Sequence, residues 1–141
     1  MATTRIAQAV WNGGLTEGEG EVTLKSSGVG SYPVTWPARA ETSGGVTSPE
    51  ELLAAAHATC FSMALSHGLT GAGTPPTSLR TRAEVDFQPG EGITGIRLIA
   101  AGDVPGLDAE GFAAAAEDAK NNCPVSQALK AVPIALQIEA I

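Results

Sequence analysis

The side chains best suited to chemistry in this 141-residue chain are two thiols, Cys60 and Cys123, and two imidazoles, His57 and His67. A thiolate can act as nucleophile, redox centre or soft metal ligand, and its pKa and accessibility decide which. Cys60 stands in the middle of a long apolar stretch, where desolvation keeps a thiol neutral unless a cation lies beside it. Cys123 immediately precedes Pro124 at the start of a short helical segment, where backbone N–H groups and the helix dipole favour the anion. Taken locally, Cys123 is the better nucleophile and Cys60 the better resolving or structural thiol. Two inert buried thiols are the plain alternative.

His57 and Cys60 are three residues apart and share a helical face. Zinc sites, however, use paired ligands at short spacing such as Cys-x-x-Cys, and no such pairing occurs here. No metal is therefore expected, and His57 reads as a packed histidine satisfied by a backbone or carboxylate partner. Ser62 lies inside a helix without a Gly-x-Ser-x-Gly elbow, and no Gly-x-Gly-x-x-Gly set stands between a strand and a helix. Serine hydrolysis and nucleotide binding are unsupported, and no cofactor is expected.

The formal charge is −7, and the eight Lys and Arg residues form no run, which argues against nucleic acid. No stretch of about 18 apolar residues is evident, so no membrane span is expected. The opening Met-Ala-Thr-Thr-Arg-Ile lacks the apolar core of a signal peptide, so a cytoplasmic location is expected. In that reducing compartment a disulfide tends to be transient and catalytic.

The elements that must position the thiols are legible in outline. One domain, residues 1–141, is expected, with no repeat or long linker. Short strands are predicted over Ile6–Trp11, Gly20–Leu24 and Tyr32–Trp36. Ser48, Pro49 and Glu51 then open a helix with a capping box, and Gly68 is expected to end it after His67. Leu52, Leu53, Ala56, Cys60, Phe61, Met63, Ala64 and Leu65 leave that helix almost no polar face, as in a buried central helix. Ser78–Phe87 alternates as a strand with one solvated face and turns at Pro89–Gly92 into a second strand, Ile93–Ala101. Asp108 caps a helix from Ala109 to Asn121 with Phe112, Ala115, Ala116 and Ala119 inside. After Cys123-Pro124, Val125–Lys130 makes a short helical turn and Pro133–Ala140 a last strand. This order predicts an α+β fold with antiparallel strands.

Two strings in this frame are specific. Ser48-Pro49-Glu50-Glu51-Leu52-Leu53-Ala54-Ala55-Ala56-His57-Ala58-Thr59-Cys60-Phe61-Ser62-Met63 and Asn121-Asn122-Cys123-Pro124-Val125-Ser126 closely resemble the two signatures of the OsmC/Ohr family. The His57-Ala58-Thr59-Cys60 wording resembles the OsmC branch. So does the lack of arginine in Trp11–Gly18, with Arg39 in Pro37-Ala38-Arg39-Ala40 instead.

The resemblance implies antiparallel sheets around a buried central helix in an intertwined homodimer. It also implies metal-free, flavin-free reduction of organic hydroperoxides, hydrogen peroxide being a poorer substrate. Cys60 would attack the peroxide, Cys123 would close a disulfide with the resulting sulfenic acid, and an external dithiol would restore both. Arg39 would stabilise the Cys60 thiolate and Glu50 would hold Arg39. This reverses the roles that local chemistry gives the two cysteines. An apolar pocket around Cys60, including Phe61, Met63 and Trp36, would select alkyl peroxides.

Glu50 and Cys60, ten residues apart on one helix, are separated by about 15 Å along its axis. If both serve one site, two chains must supply it. The alternatives are a non-enzymatic stress or binding protein that keeps the fold, and a general thiol-disulfide oxidoreductase, which the lack of Cys-x-x-Cys disfavours.

Overall fold

The computed structural model describes residues 1–140 and divides into two compact units, Met1–Leu52 and Leu53–Ile141. The boundary falls inside one continuous helix. In the first unit, β1 (Ala7–Asn12), β2 (Glu19–Leu24) and β3 (Ser31–Val34) form an antiparallel meander in chain order. Ala9 lies opposite Val22, and Val22 opposite Tyr32. The third strand stops two residues before its predicted end. Thr35 caps a short helix, α1 (Trp36–Ala40), its hydroxyl accepting the Ala38 N–H at 3.2 Å. Pro37 in the first turn has a preset φ and no N–H to leave unpaired, which favours the helix over a continued strand.

Helix α2 (Pro49–Gly71) begins as the sequence predicts, with Ser48 Oγ accepting the Glu51 N–H at 3.1 Å. The capping box is half made, because the Glu51 carboxylate accepts the Thr47 hydroxyl at 2.6 Å. The helix runs past Gly68 and stops one turn later. Gly73, at φ +88°, supplies the left-handed residue, and Thr74 N–H and Gly73 N–H close back on Leu69 and Thr70 carbonyls. That is a Schellman stop, and it needs a positive φ that Gly68 does not adopt.

In the second unit β4 (Ser78–Gln88) and β5 (Gly92–Asp103) pair antiparallel, with a bulge between Asp86 and Phe87. Asp108 caps α3 (Ala109–Asn122), its carboxylate accepting the Gly111 N–H at 2.8 Å. Helix α4 (Pro124–Ala128) follows, and β6 (Ile134–Ile138) completes the sheet. The expectation of antiparallel strands fails here, because β6 pairs parallel with β5, Leu98 lying opposite Leu136. The two helices between β5 and β6 form the long crossover that parallel pairing requires.

The core joins Phe61, Leu65 and Leu69 of α2 to Ile96, Leu98 and Ala100 of β5 and Phe112, Ala116 and Ala119 of α3. Gly102 is needed beside it, because a Cβ there would lie 2.5 Å from the Phe112 ring. Helix α2 is covered on one stripe only. His57, Phe61, Leu65 and Leu69, four apart, are buried, whereas Ala55, Ala56, Thr59 and Met63 are exposed, Met63 by 67%. By length and composition α2 could cross a bilayer, contrary to the sequence expectation. Its buried stripe instead belongs to the protein core.

Candidate active site

Cys60 sits at the margin of the buried stripe of α2, one residue before Phe61, and is half-buried. It lines a cavity of about 670 Å³ with Met63, Ala64, His67, Ala115 and Pro124. Of the residues expected around it, Met63 is there. Phe61 is in the core, and Trp36 lines a different cavity, within the first unit.

Cys123 ends α3 and precedes α4. Its N–H donates to the Ala119 carbonyl at 2.9 Å, and its ψ of 126° is the extended value that a following proline imposes. That turn directs the sulfur inward, and Cys123 is 0% exposed. The two cysteines are free thiols, and the Cys123 side chain acts on the pKa of Cys60.

Cys123 is the thiol that its place at a helix start favours as an anion. Its side chain makes no cap bond to α4. The Val125 N–H bears on Cys60, whose thiolate it favours. Burial pushes the Cys60 thiol above its ordinary pKa, the Cys123 side chain adds to that, and the Val125 N–H opposes it. A cation beside Cys60 is still needed to make it a thiolate near neutrality.

His57, one turn before Cys60, is fully buried, and its Nε2 lies 2.7 Å from Ser126 Oγ. The backbone or carboxylate partner expected from sequence is in fact a hydroxyl 69 positions away. Burial lowers the His57 pKa, which keeps the ring neutral at pH 7, and its Nδ1 has no partner among the described residues. Sequence reasoning passed over Ser126, although it stands three residues after Cys123 as His57 stands three before Cys60. Ser62, set aside as a nucleophile, pairs with Thr81 Oγ1 at 2.6 Å.

Arg39 and Glu50 meet within the first unit. The guanidinium donates through Nε at 3.0 and 3.2 Å and through Nη2 at 2.9 Å to the two carboxylate oxygens. Glu50 is buried, while the Arg39 side chain is 32% exposed. Arg39 also approaches the Trp36 ring at 6.0 Å from its centroid. Together with Trp11, Leu15, Val22, Val34, Trp36 and Leu52 it lines an otherwise apolar cavity of about 440 Å³. Arg39 thus pairs with Glu50 in one unit, while Cys60 and Cys123 belong to the other. Among the described residues no three of His, Cys, Asp and Glu converge as a metal site would require.

Comparison with known proteins points one way. A family profile described as OsmC-like protein matches residues 42–137. The chain is 44% identical over 134 residues to the Peroxiredoxin OsmC of Escherichia coli strain K12, an alignment covering 93% of each. The Peroxiredoxin OsmC of Shigella flexneri matches to the same extent. Among solved structures, an organic hydroperoxide resistance protein OsmC from Legionella pneumophila superposes with a TM-score of 0.75 at 29% identity, covering 99% of this chain and 98% of that one. The organic hydroperoxide resistance protein OhrB of Bacillus subtilis does so with a TM-score of 0.70 at 25% identity, covering 95% and 98%.

Proposed function

The chain belongs to the OsmC family, and from that membership we propose that it is a cysteine-based peroxidase that reduces organic hydroperoxides in stress defence. The observation that carries the reading is the Cys60 sulfur. It borders a cavity, and the Cys123 side chain and the Val125 N–H both act on its pKa. The Cys60 thiolate attacks the peroxide oxygen. With one proton taken up, an alcohol leaves and Cys60 becomes a sulfenic acid. Cys123 then displaces its hydroxyl, which leaves as water, and the disulfide closes. Two thiols of an external dithiol reopen it, consistent with a cytoplasmic setting. Burial of Cys123 suits it to this second step, since it need meet only Cys60.

The missing cation is Arg39, held by Glu50. Ten residues of helix separate Glu50 from Cys60 in one chain, so Arg39 of a second copy serves this Cys60. The exposed apolar face of α2 provides the contact, and the resulting obligate homodimer buries more than about 2,000 Å². The apolar cavity around Arg39 fits an alkyl chain better than it fits hydrogen peroxide.

Consumption of tert-butyl hydroperoxide and of hydrogen peroxide with dithiothreitol as reductant tests the reading. The alkyl peroxide should be consumed faster, Cys60→Ser should abolish consumption of both, and Cys123→Ser should still yield one sulfenate per chain. An inactive wild-type protein, or an active Cys60→Ser variant, sinks it.

A further inference from the structure

Two polar groups in the second unit are buried together with no part in the peroxide chemistry. His57 is 0% and Ser126 4% exposed, and Nε2 and Oγ lie 2.7 Å apart. Burying an imidazole and a hydroxyl costs free energy that their single mutual bond only partly offsets, and the orphaned Nδ1 adds to the cost. A pair of apolar residues would suit the core better if packing were the whole requirement. The position of the bond suggests what else is required. His57 is one turn from Cys60 on α2, and Ser126 is on α4, three residues from Cys123 and adjacent to Val125. The bond therefore ties the segment that carries Cys123 and the Val125 N–H to the helix that carries Cys60.

We propose that His57 and Ser126 are positioning residues for disulfide closure, their hydrogen bond holding Cys123 in register with Cys60. The proposal rests on the thiol-pair reading above and adds to it the two residues that set how readily the pair closes. Neither touches the peroxide. Attack on peroxide does not involve the Cys123 sulfur, whereas closure needs it held within reach, so the clamp acts chiefly on the second step and on the equilibrium between dithiol and disulfide. In a glutathione buffer that equilibrium is balanced: two protein thiols and one glutathione disulfide give the Cys60–Cys123 disulfide and two glutathione thiols. Holding two thiols together raises the constant in proportion to their effective concentration.

The test is this constant, measured by alkylation of free thiols in glutathione buffers and set beside each variant's melting temperature. Ser126→Ala and His57→Leu should lower it about tenfold, the scale of one buried hydrogen bond and its orphaned partner. Ser126→Thr and His57→Gln, which keep a hydroxyl and a nitrogen in place of Nε2, should recover most of it. Leu98→Ala, a core truncation on β5 that leaves the His57–Ser126 bond in place, should lower the melting temperature and change the constant far less than Ser126→Ala does. A constant unchanged in Ser126→Ala, or one that falls as far in Leu98→Ala as in Ser126→Ala, overturns the proposal. In single turnover with tert-butyl hydroperoxide, Ser126→Ala should slow disulfide closure more than it slows sulfenate formation. Equal slowing of both steps also overturns it. Failure of the wild-type protein to react with peroxide counts against the peroxidase reading alone, since the glutathione equilibrium needs no peroxide.

Discussion

The two units are unlike in how they treat apolar side chains. In Leu53–Ile141 these residues converge on one core, with Phe61, Leu65, Leu98 and Ala116 fully buried. In Met1–Leu52 the single buried residue is Glu50, a carboxylate, while Ile6, Val10, Trp11, Leu15 and Tyr32 are exposed. Water selects against a three-stranded meander left in that condition, because such a sheet needs a covered apolar face to be stable. Half of the proposed site, Arg39 on α1 with Glu50 at the start of α2, nonetheless belongs to that unit. On the proposed reading, a second chain covers the unit that holds the cation, while the unit that holds the thiols has its own core. A peroxidase whose cation must come from a second chain would be built in this way.

The largest expected effect separates the two units by energy. Leu98→Ala empties a fully buried site on β5 and should cost about 2–5 kcal/mol at any protein concentration. Val10→Ala removes an exposed side chain from β1, and its cost should appear only in the concentration-dependent part of the unfolding midpoint, as weakened association. Unfolding of both variants across a hundredfold range of concentration measures the contrast. A concentration-independent loss for Val10→Ala as large as that for Leu98→Ala would break the comparison.

What could be read from sequence divides along a physical line. Helix α2, the β4–β5 hairpin and the Asp108 cap were legible because each is written in neighbouring residues: a Ser-Pro start, strict alternation, an acid three before an N–H. Helix α1 was not, since five residues are too short for a period to show and Trp36 also suits a strand. The parallel pairing of β6 with β5 depends on the path of a crossover, which no local pattern encodes. Within the site, the thiols and Arg39 with Glu50 were visible as residue types in recognisable strings. The Val125 N–H and the Ser126 hydroxyl were not, because their partners lie 65 and 69 positions away and only the fold brings them together.

A middle-sized effect should come from the Arg39–Glu50 pair, and it should be asymmetric. Removing Arg39 strands a buried carboxylate, whereas removing Glu50 leaves a guanidinium that is one-third exposed and can turn to water. Arg39→Ala should therefore destabilise by about 2–3 kcal/mol and Glu50→Ala by about half as much. Glu50→Ala should lower peroxide turnover about tenfold through a poorly held Arg39 while sedimentation still shows dimer, because the apolar contact survives. Equal melting temperatures for the two variants would mean that burial of Glu50 does not govern the pair.

The smallest effect is expected where the same chemistry lies on the solvated face of the second unit. There Arg97 donates to Glu84 at 2.8 Å and to both oxygens of Asp86 at 2.7 and 2.9 Å, across β4 and β5. Arg97 above all holds both carboxyls below their usual range, and Arg82 adds to the effect at Glu84. Because the folded values lie below the unfolded ones, the stabilisation is complete above the ordinary carboxylate pKa of about 4 and is lost as pH falls through the folded values. Arg97→Gln should thus melt slightly below wild type at pH 7, and the gap should close on acidification to about pH 2.5 as both carboxylates protonate. Salt at about 0.5 M should narrow the gap at pH 7, since exposed charges are screened, while the Arg39→Ala deficit should persist in the same salt because Glu50 is buried. If the Arg97→Gln gap survived both acid and salt, exposure would not be what distinguishes these two arginine–carboxylate groups.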